Sequence, residues 1–68
     1  MNYKRIEEII TDFFQVREYY TNQDGQNYTG KQSNCYKNDR TGKWDVDNNG
    51  VYSSHNNKEY AMSVAMDF

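Results

Sequence analysis

Proline and leucine are absent from this chain, and cysteine is nearly absent. The 68 residues contain no Pro and one Cys. A single Cys cannot form an internal disulfide, and so low a usage is typical of a reducing compartment. Without Leu, the large aliphatic and phenyl side chains of Ile, Val and Phe number only ten. A chain of this length buries only about 60% of its unfolded surface, so the core must be thin.

Long apolar runs are also missing. Met1 to Arg5 is followed by acidic Glu7 and Glu8 rather than by the apolar segment of a signal peptide. No run approaches the roughly 20 apolar residues that a membrane-spanning helix needs. We therefore expect a cytoplasmic protein that does not contact a membrane.

Charge of one sign is not concentrated either. The formal net charge is −2, which provides neither the basic field of a typical nucleic-acid-binding domain nor the dense acidity of a DNA mimic. Seven Tyr, three Phe and one Trp supply the apolar area that the aliphatic residues lack. We expect one domain over residues 1–68. Because small domains often need support beyond their core, self-association or a partner protein is expected.

The N-terminal segment has apolar residues at helical spacing. Ile6, Ile9, Ile10 and Phe13 follow the i, i+3, i+4, i+7 pattern, which predicts a helix over residues 2–18. The C-terminal segment instead alternates, with large residues at every second position from Tyr60 to Phe68. This alternation predicts a strand with one apolar side.

Between these segments, turn signals recur at short intervals. Trp44 and Val46 alternate with polar residues and are expected to point inward. Gly30 is expected to form a bulge. Turns are predicted at Gln23–Gln26, Asn38–Gly42 and Asp47–Gly50. The predicted fold class is α+β, with one N-terminal helix packed on a four- or five-stranded antiparallel meander.

Asp45–Gly50 matches the first half of a calcium-binding loop, with oxygen-bearing side chains at alternate positions and a Gly at the sixth. The twelfth position, where calcium loops place a bidentate Glu, is Asn56. The same residues also form a good hairpin turn, which is the favoured interpretation. No metal or cofactor is therefore expected.

Cys35 and His55 are the only residues of their kinds, and such a pair can act as nucleophile and base. No nucleophile signature surrounds Cys35, so a buried cysteine and a loop histidine are favoured. The sequence also lacks paired carboxylates in a clear context, a phosphate-binding loop and a set of metal ligands. We expect a protein that is not an enzyme and has no catalytic residues.

The stretch from Tyr28 to Trp44 is locally basic and carries interleaved aromatic residues. Basic groups beside aromatic stacking platforms suit single-stranded nucleic acid or another anionic ligand, although a solvated hairpin has the same composition. In this alternative the binding residues are Lys31, Lys37, Arg40 and Lys43, with Tyr36 and Trp44.

The number of tyrosines exceeds what a small core requires. In a strand, one member of an adjacent pair such as Tyr19–Tyr20 must face outward, and Tyr, Trp and Arg are enriched at binding hot spots. Ordinary cross-strand aromatic pairing explains the same pattern. The predicted function is binding to a protein partner, as an accessory protein or an inhibitor of the kind that phages use. The predicted binding residues are Tyr20, Tyr36, Lys37, Arg40, Lys43, Trp44 and Tyr52.

Overall fold

The structure, a computed structural model of residues 1–68, is an antiparallel meander with one short C-terminal helix. The five strands are hydrogen-bonded in the order β1-β2-β3-β4-β5. Their bounds are β1 Asn2–Ile10, β2 Phe13–Asn22, β3 Gly25–Asn38, β4 Lys43–Asn48 and β5 Val51–His55, and the helix α1 is Lys58–Ala65. The α+β class and the meander are confirmed, whereas the helix lies at the opposite end of the chain from the one predicted.

The predicted helix over residues 2–18 is wrong, because this segment forms the hairpin of β1 and β2. Ile6, Ile9 and Ile10, which defined the helical pattern, are 48%, 50% and 66% exposed and do not line a core. The segment is rich in β-branched and aromatic residues, which pack well on a pleated surface. Asp12 adopts a φ of +60° in the connecting turn, a conformation that Asp tolerates better than most residues.

The predicted strand over residues 60–68 is also wrong. Asn57 caps a helix there, since its side-chain oxygen accepts a hydrogen bond from the Tyr60 N–H at 2.9 Å. Ala61 and Ala65 are four positions apart, lie on the same face of α1 and are completely buried. The packed face of α1 is thus centred on the small residues, and Met62, Val64 and Met66 flank it in partly buried positions.

The predictions for the middle of the chain are largely confirmed. Strands end and turns form at the three predicted places, with residues 23–24, 39–42 and 49–50 in the connections. Gly30 has a φ of +96°, and the pairing of β2 with β3 shifts register beside it, as expected of a bulge. Trp44 and Val46 are buried, as the alternation predicts.

The core lies between α1 and one side of the sheet. It contains Val16 from β2, Cys35 from β3, Trp44 and Val46 from β4, and Ala61 and Ala65 from α1. We call this side of the sheet the helix face and the opposite side the open face. The Ser33 hydroxyl donates a hydrogen bond to the Ala65 carbonyl and ties α1 to β3. Lys4 from β1 donates to the Met66 carbonyl, so the end of the helix also contacts the first strand.

The molecule is elongated, with extents of 45 × 21 × 18 Å. α1 packs against β3, β4 and β5, and no other element covers the sheet. The open face is therefore exposed across all five strands. No helix is long and apolar enough to span a membrane.

Candidate functional site: the open face of the sheet

The open face carries the residues that alternate with the core positions. In β2, Val16 and Glu18 are buried on the helix face, so the intervening Arg17 and Tyr19 project to the open face. The β1 and β3 residues directly opposite them share this side, because cross-strand neighbours point to the same face.

Three tyrosines form a continuous row across the first three strands. Tyr3 of β1 stacks on Tyr19 of β2, with ring centroids 5.8 Å apart and an interplanar angle of 22°. Tyr19 in turn packs against Tyr28 of β3 at 5.9 Å in a tilted arrangement. We call Tyr3, Tyr19 and Tyr28 the tyrosine row. Stacked neighbours restrict the rotation of each ring, and the row presents a continuous aromatic surface.

Two arginines lie against this row. The Arg17 guanidinium is 5.2 Å from the centroid of the Tyr28 ring, and that of Arg5 is 5.6 Å from the Tyr19 ring. Both distances fall within the range of a cation–π interaction. Arg5 also forms an ion pair with Glu7 at 3.5 Å, with both side chains half exposed.

Arg17 differs from Arg5 because it has no carboxylate partner. The pair of Arg5 and Glu7 is the only ion pair in the molecule. The Arg17 Nε atom is buried and makes no hydrogen bond, and neither does the buried Tyr3 hydroxyl. A half-buried guanidinium without an ion-pair partner can bind an acceptor such as a carboxylate through its accessible part.

A shallow polar depression of about 240 Å³ adjoins the tyrosine row. Its lining includes Tyr28 of the tyrosine row and Gly50 of the turn between β4 and β5. The complete lining is Tyr28, Gly30, Gln32, Asn34, Asp47, Asn49 and Gly50. The Tyr28 hydroxyl donates to the Gln32 side-chain oxygen at 3.0 Å, which fixes the ring at the edge of the depression. Amide groups dominate the lining, so it can both donate and accept hydrogen bonds.

No protein-family model, curated protein or solved structure matches this chain. We therefore infer its function from the residues themselves.

The predicted binding residues are divided between different parts of the structure. Tyr36, Lys43 and Tyr52 lie on the open face, where Tyr36 stacks on Phe13 with centroids 5.5 Å apart. Tyr52, in the edge strand β5, is 74% exposed. Tyr20 shares the side of Val16 and Glu18, so it points away from the open face.

The remaining predicted residues lie outside the open face. Trp44 is buried on the helix face, where its ring is 6.3 Å from that of Phe14 and contacts the Lys58 ammonium. Lys37 is opposite Trp44 in the sheet and so is also on the helix face. Arg40 lies in the exposed turn between β3 and β4. The basic residues predicted to bind an anion therefore do not converge on one surface.

The calcium-like run forms the hairpin between β4 and β5, so the favoured turn interpretation is confirmed. Asp47 Oδ1 accepts a hydrogen bond from the Gly50 N–H at 2.9 Å. Asp45 accepts from the Ser54 hydroxyl at 2.6 Å and from the Asn38 amide at 3.0 Å. These hydrogen bonds lower the pKa of Asp45 below its ordinary value. The structure contains no cluster of three or more His, Cys, Asp or Glu side chains that could hold a metal ion.

Cys35 is completely buried in the core, as the favoured interpretation expected. Burial raises the pKa of its thiol, with a smaller opposing effect from Lys58. A thiol in such surroundings is inert rather than nucleophilic. His55 ends β5 rather than lying in a loop, and its Nε2 atom hydrogen-bonds with the Ser53 hydroxyl at 2.9 Å.

Sequence reasoning missed the centre of the open face because it assigned the first 18 residues to a helix. Tyr3, Arg5 and Arg17 were thereby excluded from any sheet. One signal could have found them: Asp12 separates two runs in which β-branched and aromatic residues are frequent, which is typical of a hairpin. If those runs are strands, their side chains alternate between two faces, and Arg17 and Tyr19 lie on the side opposite Val16.

Proposed function

We propose that this chain is a non-enzymatic protein-binding module whose open face binds an acidic segment of a macromolecular target. The observation that carries this proposal is Arg17: its guanidinium is stacked on Tyr28, half buried and without a carboxylate partner. A carboxylate from a target would give this guanidinium the ion-pair partner that it lacks within the chain.

The surroundings of Arg17 suit a protein interface. Tyr and Arg dominate interface hot spots because they combine large apolar contact with hydrogen-bonding groups. In the tyrosine row these side chains are already held by their neighbours, so binding costs little conformational entropy. The polar depression beside Tyr28 lets a target add hydrogen bonds to the aromatic contact.

A specific complex would cover only a minor part of the surface of this chain. A standard interface buries about 800 Å² on each partner. The solvent-accessible surface of the whole chain is 4725 Å², so roughly one sixth of it would be covered. A binder of this kind acts by occupying a surface of its target, which is the mode of an accessory protein or an inhibitor.

The proposal is tested by affinity purification from lysate of the cells in which the protein occurs, with and without nuclease. We expect a discrete protein to be retained after nuclease treatment by the wild-type chain. Arg17→Ala and Tyr28→Ala should each lower its recovery by tenfold or more, as expected for hot-spot residues. The matched controls are Arg40→Ala, in an exposed turn, and Tyr20→Ala, on the other side of the sheet.

Unchanged recovery with Arg17→Ala and Tyr28→Ala, in chains shown to be folded by circular dichroism, would contradict the proposal. Loss with Arg40→Ala instead would move the binding site to the turn between β3 and β4.

Single-stranded nucleic acid is the second candidate target. The observation in its favour is a row of aromatic rings on an open antiparallel sheet with two arginines beside them, an arrangement on which bases can stack. The net charge of −2 weakens this alternative, as does the separation of Lys37 on the helix face, Arg40 in a turn and Lys43 on the open face.

Fluorescence anisotropy with labelled oligonucleotides separates the two candidates. Binding to nucleic acid should weaken steeply between about 50 and 200 mM salt, whereas a protein interface centred on tyrosine should change little. If nucleic acid is the target, the material retained in the affinity purification should also disappear on nuclease treatment.

A further inference from the structure

The first strand leaves a long edge of the sheet unpaired. β1 spans nine residues and pairs only with β2. Ile6, Ile9 and Ile10 are about half exposed or more along it. Long edge strands with apolar residues readily pair with another strand, and natural proteins usually protect them. The other edge, β5, has only five residues.

The backbone groups available on this edge can be assigned. The Thr21 N–H donates to the Met1 carbonyl at 2.9 Å, and the Met1 amino group lies 3.4 Å from the Thr21 carbonyl, so these two residues form a hydrogen-bonded pair. Pairs of this type alternate along antiparallel strands. Lys4, Ile6 and Glu8 therefore direct their N–H and C=O groups outward, away from β2.

The side chains of β1 are complementary to themselves in one register. If two antiparallel copies of β1 pair with Ile6 opposite Ile6, Arg5 of each copy faces Glu7 of the other, and Lys4 faces Glu8. Arg5 and Glu7 then occupy non-hydrogen-bonded positions, where opposing side chains are closest. Opposite charges in such pairs are stabilising, and like charges are destabilising.

Neighbouring registers lack this complementarity. A pairing centred on Arg5 places the two Arg5 side chains opposite each other. A pairing centred on Glu7 places the two Glu7 side chains opposite each other. A pairing centred on Lys4 opposes two lysines. Only the register centred on Ile6 satisfies both the charges and the outward backbone groups.

We propose that two copies of this chain associate through β1 in an antiparallel register centred on Ile6, forming a continuous sheet across a two-fold axis. Such an interface is self-complementary, as a two-fold dimer requires. It pairs the free backbone groups of both edges and brings the two exposed Ile6 side chains together beside Val16. It also leaves the tyrosine row and Arg17 of each copy uncovered.

Sedimentation equilibrium of the full chain tests the association. We expect the mass to rise with concentration toward twice the 8.1 kDa of one chain. Arg5→Glu and Glu7→Arg should each weaken this association by about tenfold or more, because each replaces two attractive pairs with two repulsive ones.

Mixing the two variants gives the sharper result. An equimolar mixture of Arg5→Glu and Glu7→Arg restores opposite charges at both positions and should dimerise about as well as the wild-type chain. The double variant carrying both changes should also recover the homodimer. As controls, Arg40→Glu and Glu59→Arg make the same charge changes away from β1 and should leave the association unchanged.

Amide exchange measured by NMR locates the interface. In the dimer the Ile6 amide should be protected and should become unprotected on dilution. The proposal is overturned by a chain that stays monomeric at millimolar concentration, by a dimer insensitive to both single variants, by a mixture that fails to dimerise, or by protection of the β5 edge instead.

Discussion

Asp45 and Asp47 are two residues apart in β4, and their carboxylates have different hydrogen-bond partners. Asp47 accepts from the Gly50 backbone within the turn, whereas Asp45 accepts from Ser54 and Asn38 on the two neighbouring strands. Asp45 therefore links β3, β4 and β5 on the open face. Its ionised form is stabilised by folding, which is why its pKa is lowered.

Stability should depend on pH through Asp45. A carboxyl group whose pKa is lower in the folded state adds stability above its unfolded pKa, and this contribution is lost as the pH falls through the folded value. Asp45→Asn should lower the free energy of unfolding at pH 7. The difference in unfolding free energy between this variant and the wild type should shrink as the pH falls below 3.8, the ordinary pKa of Asp. Urea unfolding over a range of pH measures both effects.

Asp39→Asn is the matched control for this prediction. Asp39 lies in the exposed turn between β3 and β4, and the substitution removes the same charge. We expect its unfolding free energy to follow that of the wild type across the same pH range. A constant difference between Asp45→Asn and the wild type at every pH would contradict the assigned role.

At the scale of the element, α1 depends on its first turn. With eight residues it is too short to be stable alone, so capping and packing must hold it in place. Asn57 supplies the cap, and the buried Ala61 and Ala65 allow the helix backbone to approach the sheet closely. The Asn48 side chain holds the other end by donating to the Val64 and Asp67 carbonyls.

Asn57→Ala should destabilise the protein by about 1 kcal/mol, the usual loss when a side-chain cap is removed. Asn56→Ala changes the neighbouring residue in the same way but removes no cap, and it should shift the unfolding free energy by less than about 0.5 kcal/mol. Chemical denaturation of the two variants provides the comparison. Equal effects would show that Asn57 does not act as a cap.

At the scale of the whole molecule, the helix covers only part of a long sheet. The end of the β1–β2–β3 sheet that includes Tyr20, Asn27 and the connecting turn lies beyond the bulge at Gly30. We call residues 19–29 the arm. Their backbone is paired, but they contribute no residue to the core cluster. Segments with few buried apolar contacts open more easily than the rest of a structure.

Hydrogen-bonded amides of the arm should therefore exchange faster than those of Ser33–Tyr36 and β4 beneath the helix. Native-state amide exchange followed by NMR measures this directly, with the hydrogen-bonded amides of β4 as the internal reference. Uniform protection along β2 and β3 would show instead that the sheet opens as one unit.

The sequence alone determined the features that depend on neighbouring residues. Glycines and Asn/Asp clusters specified the turns after β2, β3 and β4, because positive φ is cheap only at such residues. The alternation around Trp44 and Val46 identified β4 and its buried side. These local preferences were sufficient to predict the meander of the middle strands. The α+β class was correct although the helix had been assigned to the wrong end of the chain.

The tertiary structure decided the two ends of the chain and the functional surface. The pattern of Ile6, Ile9 and Ile10 is compatible with a helix stripe or an edge strand, and the alternation from Tyr60 to Phe68 is compatible with a strand or a helix packed through Ala61. The outcome depends on pairing with distant strands and on packing against the sheet, which local pattern does not encode. Only that pairing brings Tyr3, Tyr19 and Tyr28 into one row, because they come from three separate strands.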